Sequence, residues 1–207
     1  MITIPTNLGA LNFYEFNEIQ GYKLIKEYIA NACRELNVNI PYLSLGKVLV
    51  IGKDRYIGYT ITPEEVTGLG IILDKPAIYI AIPEVPVDCA SEDIVLLMKC
   101  SISHEIRHVW QYTYNKDLYD KHGYGINSML SPAEIDADGF AIAYVSREYD
   151  KDIVAQKFCK PEYKYYQIGI TEPFNRRMER AKEFLKDMAY TRKAKGLLKN
   201  LLNKLFK

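Results

Sequence analysis

Between Ser91 and Tyr114 the chain places apolar residues on several sides of a helical period, at Ile94, Val95, Leu97, Met98, Ile102, Ile106, Val109 and Trp110. A helix that is apolar around most of its circumference must be covered by other elements, so this segment predicts a central, mostly buried helix. Ser91 is placed as an N-cap, with Glu92 and Asp93 in the first turn where negative charge favours the helix dipole. The same helix carries His104, Glu105 and His108, and two of the three histidines in the chain thus bracket one acid. Unpaired polar groups in an apolar setting are costly. Whatever fold buries this helix has to give those three side chains partners.

The flanking texture is mixed. Glu18 to Leu36 repeats apolar residues at helical spacing, which predicts a first amphipathic helix packed over a sheet. After Pro41 the pattern is that of strands, at Lys47–Gly52, Arg55–Thr62, Gly70–Asp74 and Pro76–Ile82, with turns at Gly52-Lys53-Asp54 and Asp74-Lys75-Pro76. A further helix opens at Ser131-Pro132, a cap followed by proline at the first helical position, and runs to about Arg147. A last helical region begins near Glu172 and continues to the end, with a break at Gly196. The expectation is an α+β domain over residues 1–188, with a small mixed sheet of three or four strands, followed by a basic amphipathic helix over 189–207.

Composition narrows the function classes. Hydrophobic residues make up 48% of the 207 and charged residues 26%, as in soluble globular domains. A net charge of +1 provides no basic field, so no nucleic-acid partner is expected. Cys33, Cys89, Cys100 and Cys159 form no C-x-x-C pair and sit among apolar neighbours, and the N-terminus lacks the pattern of a signal peptide. Both features lead to the expectation of a cytoplasmic protein. From Ala189 onward there are six basic residues and no acid, with Leu197, Leu198, Leu201, Leu202, Leu205 and Phe206 on one stripe. Such a helix either docks its leucines on the core or makes a peripheral membrane or protein contact.

The segment His104-Glu105-Ile106-Arg107-His108 has the form H-E-x-x-H. On a helix this spacing sets two imidazoles one turn apart on one face, where both reach a single zinc ion. Glu105 is offset so that it meets a metal-bound water as general base and does not ligate. A third ligand is required. The longer form H-E-x-x-H-x-x-G-x-x-H would need glycine and histidine where Gln111 and Tyr114 stand. His122, in a glycine-containing loop, is a ligand, a substrate contact or plain surface. Glu134, in the first turn of the next helix, is the preferred third ligand, and Asp138, one turn on, is placed to accept the free ring N–H of a ligand histidine. Asp136 is the alternative ligand. Ser131 and Glu134 are also spaced as a capping box, which would turn the glutamate back on the N-cap amide. Tyr124, His122, Tyr144 and Arg107 are candidate donors to an oxyanion.

At these residues the chain resembles the gluzincin clan of metallopeptidases, most nearly the small ImmA/IrrE-type zincins. Their second motif, E-x-x-A-x-x-F-A, is matched by Glu134, Ala137, Phe140 and Ala141. The sequence departs from them at Arg107 and Trp110-Gln111, and lacks the Leu-Met-Pro that follows the motif. Its H-E-x-R-H-x-W-Q form is similar to small phage or bacterial zincin-like proteins. The resemblance implies a minimal zincin-like fold, Zn2+ as cofactor, a protein or peptide substrate, and hydrolysis of peptide bonds, with a catalytically inactive zincin-like sensor or binding protein as the alternative. It also implies a sheet edge that binds extended substrate, for which Pro76–Ile82 is the candidate, with an interior strand as the alternative.

Overall fold

The computed structural model describes residues 1–6, 9–46, 49–51, 54–56, 58–82, 92–121, 131–163 and 174–189. It is an α+β protein organised around a three-stranded mixed sheet. β3 (Tyr42–Gly46) runs parallel to β7 (Ala77–Ala81), pairing Leu43 with Ile78, and β6 (Gly58–Ile61) runs antiparallel to β7 on its other side, pairing Thr60 with Ile78. β1 (Ile2–Thr6) and β2 (Gly9–Phe13) form an N-terminal hairpin, joined to the sheet where Tyr14 bridges Leu43. β4 (Leu49–Ile51) and β5 (Asp54–Tyr56) form a second hairpin.

β7 explains why the sheet is covered on both faces. Its five residues Ala-Ile-Tyr-Ile-Ala are all buried, and their alternation sends Ile78 and Ile80 into one cluster and Ala77, Tyr79 and Ala81 into another. The first cluster is the main core. It packs β7 against α1 (Lys23–Leu36), α3 (Glu92–Tyr114), α5 (Pro132–Val145), α6 (Lys151–Tyr163) and α7 (174–189). The second is smaller and closes over Ile4 and Phe13 from the hairpin, Ile61 at the end of β6, and Val66 and Leu73 from the segment after it.

The structure revises several boundaries. α1 starts at Lys23 and not at Glu18, because Gly21 (φ 73°) and Tyr22 (φ 51°) turn the chain in the left-handed region before the helix. Gly70–Asp74 is not a strand. Thr62 caps α2 (Pro63–Thr67) instead, its amide donating to Glu65 at 2.6 Å with Pro63 in the first turn, and Gly70 (φ 73°) then reverses the chain. The expected strands at 47–52 and 55–62 become β4, β5 and β6, and β3 begins before either of them. α4 (Lys116–Tyr119) and α6 occupy stretches that the sequence pattern left without elements. Pro76–Ile82 corresponds to β7, which lies in the middle of the sheet, so it has no edge to offer an extended substrate.

The helix that anchored the sequence reading spans Glu92–Tyr114, and its buried residues include Leu96, Met98, Ile102, Ile106 and Val109. Ser91, His122 and residues 190–207, with the basic stripe, lie outside the described residues. Among the described residues no helix is long and apolar enough to cross a membrane.

Candidate metal centre

α3 and α5 face each other across the site. His104 and His108, one turn apart on α3, bring their Nε2 atoms to 2.9 Å of each other. Glu134, in the first turn of α5, reaches both, with Oε2 3.2 Å from His104 Nε2 and Oε1 3.5 Å from His108 Nε2. The ligand-type atoms of these three residues all lie within 4.8 Å of one another. The hydroxyl of Ser131 donates to the carbonyl of Lys121 and makes no cap bond, so the reciprocal capping box does not form.

The outer nitrogen of each imidazole is also committed. His104 Nδ1 lies 2.8 Å from Asp138 Oδ1, and an ionised carboxylate only accepts, so Nδ1 carries a proton and Nε2 is the nitrogen turned toward Glu134. His108 Nδ1 lies 2.8 Å from Gln111 Oε1. The Gln111 amide nitrogen donates to the Ala133 carbonyl at 2.9 Å and to Asp136 Oδ2 at 2.8 Å, which fixes its oxygen as the acceptor for His108. Two imidazole nitrogens and one carboxylate, each imidazole oriented by a hydrogen bond behind it, form a donor set suited to zinc and its transition-metal neighbours.

Glu105 stands beside this group and is held from the sheet. Thr60 on β6 donates its hydroxyl to Oε2 at 2.6 Å. Gly58, on the same strand, lies so close that a Cβ there would come within 2.5 Å of Oε1. A larger residue at 58 would displace the carboxylate. Burial raises the Glu105 pKa, and the two histidines and Thr60 only partly oppose it. For His104, burial disfavours the charged ring, but Asp138 and Glu134 outweigh it and hold the pKa well above the ordinary value. Burial likewise opposes ionisation of Glu134, yet His108 and His104 keep that carboxyl well below its usual range.

All five residues singled out from sequence, His104, Glu105, His108, Glu134 and Asp138, are therefore brought together. Asp136 is not among the convergent donors. It points away from them and accepts from Arg107 Nε (2.7 Å), Gln111 and Arg180 Nη2 (2.7 Å). Arg107 is spent on that pair and on the Trp110 ring, 3.6 Å from its guanidinium carbon, while Tyr144 packs in the core against Tyr28 and Phe140. Neither is placed as the oxyanion donor entertained above, and Tyr124 and His122 lie outside the described residues.

Gln111, Thr60, Arg177 and Arg180 were not anticipated. Gln111 follows His108 at i+3 on the same helix face, a signal present in the sequence. The others reach the site from distant elements, and nothing local marks them. Comparison with protein-family models, with curated proteins and with solved structures produced no match.

Proposed function

We propose that this protein is a zinc-dependent peptidase of the gluzincin kind, with the minimal zincin-like fold and a protein or peptide substrate, resembling the ImmA/IrrE-type enzymes. The observation that carries the reading is the convergence of His104, His108 and Glu134 with Glu105 alongside. His104, His108 and Glu134 would hold the ion. When bound, zinc supplies Lewis acidity to a carbonyl oxygen and brings the pKa of a water toward about 7.

The chain supplies the rest. Thr60 occupies Oε2 of Glu105 and leaves Oε1 to take a proton from water and return it to the leaving amine. Burial favours this by raising the carboxyl pKa from the ordinary acid range toward that of a working base. β6 is an outer strand of the sheet, with no described strand along its far edge. An extended peptide pairing there would lie along the strand that holds Glu105. Cys33 and Cys100 are buried free thiols, which supports a reducing, cytoplasmic setting.

Elemental analysis of purified wild type, His104→Ala and Glu134→Ala tests the centre. We expect close to one zinc per wild-type chain and strong depletion in both variants. Equal zinc in all three overturns the reading. Glu105→Gln separates chemistry from binding: it should keep zinc yet lose hydrolysis of an unfolded protein such as casein, and surviving hydrolysis would remove Glu105 as the base.

A further inference from the structure

Two arginines on α7 reach the residues behind the histidines. Arg177, only 1% exposed, donates its Nε to Asp138 Oδ2, while Oδ1 of the same carboxylate faces His104 Nδ1. Arg180 donates its Nε (2.9 Å) and Nη2 (2.7 Å) to Asp136 Oδ1. Asp136 Oδ2 accepts from Gln111, whose carbonyl oxygen faces His108. The spacing accounts for the match, since residues three apart share a helix face, so α7 presents both guanidinium groups to α5 together.

A separate feature bears on the same contact. Gly139 lies between Asp138 and Phe140 on α5, and a Cβ there would come within 2.7 Å of Arg180 Cγ, 2.8 Å of Arg180 Cβ and 3.2 Å of the Ala181 backbone nitrogen. These are not the far end of a mobile side chain. The absence of a side chain at 139 lets the α7 backbone close on α5 and sets the reach of both arginines.

We propose that α7 is a working part of the metal centre, with Arg177 and Arg180 as positioning residues. Their hold on Asp138 and Asp136 fixes the orientation of His104 directly and of His108 through Gln111, so zinc affinity depends on the docking of α7. This rests on His104, His108 and Glu134 being the zinc ligands. It extends that site by about forty residues of chain whose sequence carries no metal motif.

The test uses the full chain and zinc alone, titrated against a competing chromophoric chelator, with the absorption spectrum of bound Co2+ as a second readout. Arg177→Met/Arg180→Met should weaken zinc binding by about 10- to 100-fold and change the Co2+ spectrum, and Arg177→Lys should recover most of the loss in an otherwise wild-type chain. Gly139→Ala removes no charge from the buried ion pairs, so it is the milder variant where the double variant fails to fold. It should nevertheless weaken zinc several-fold by pushing α7 away. Zinc affinity within about twofold of wild type in both Gly139→Ala and the folded arginine variants overturns the proposal while leaving the ligand assignment intact. A wild type that binds no zinc removes both.

Discussion

The two histidines of the centre are oriented by different means. His104 rests on a carboxylate, Asp138, whose other oxygen is taken by Arg177. His108 rests on a neutral amide, and only behind Gln111 does a carboxylate appear, Asp136, shared with Arg107 and Arg180. The first arm places a full negative charge against the ring, a charge-assisted bond that raises the basicity of the opposite nitrogen. The second sets geometry with little change in basicity, because Asp136 delivers its charge to arginines and reaches His108 only through the amide. One arm tunes and the other aims.

Cutting the arms should therefore have unequal effects. Asp138→Ala is expected to lower zinc affinity toward the far end of the 10- to 100-fold range, and to lower stability because it breaks the buried pair with Arg177. Chelator competition and urea unfolding measure the two losses. Gln111→Leu should stay near the tenfold end, since Asp136 keeps both arginines when it loses the Gln111 donor and His108 loses an orienting acceptor that carries no charge. Equal losses from the two substitutions would show that the arms do the same work.

The same contrast separates what the sequence displays from what it conceals. Helical period, which is local, groups His104, Glu105 and His108 on α3 and Glu134 with Asp138 on α5, while the meeting of the two helices is tertiary and was expected only because two imidazoles need a third ligand. Gln111 obeyed the same rule but was weighed only as a departure from a family pattern. Thr60, Arg177 and Arg180 arrive through tertiary packing, which leaves no periodic trace. The sheet was harder for the same reason. Which strand lies in the middle depends on partners far along the chain, and Pro76–Ile82 was considered as an edge although its unbroken apolar run is the pattern of a strand buried on both faces. Gly70–Asp74 looked like a strand because its apolar residues are adjacent, whereas the capping box at Thr62–Glu65 already starts a helix just ahead of it.

Acid provides a smaller perturbation of the second arm. Burial opposes ionisation of Asp136, but Arg107, Gln111 and Arg180 win and lower its pKa. A depressed folded-state pKa means that its stabilisation is present above the unfolded value near 3.9 and is lost as pH falls below that toward the folded value. Urea midpoints should thus fall on acidification below about pH 4, and Asp136→Asn should flatten that fall. A slope identical to wild type would mean that Asp136 is not held by its arginines in solution.

Thr60→Val lies outside both arms and should have the least effect on the metal, leaving zinc affinity within about twofold of wild type. Its consequences belong to Glu105. The hydroxyl bonds the charged carboxylate and so lowers its pKa against the rise caused by burial. Without it the pKa climbs further, and the acid limb of the pH–rate profile should move to higher pH. The buried Oε2 also loses its donor, at about 1–3 kcal/mol of stability. An unmoved acid limb would show that β6 does not set the charge state of Glu105. A large fall in zinc affinity would show that the sheet side is coupled to the two histidine arms after all, and that the division between tuning, aiming and base-holding is not clean.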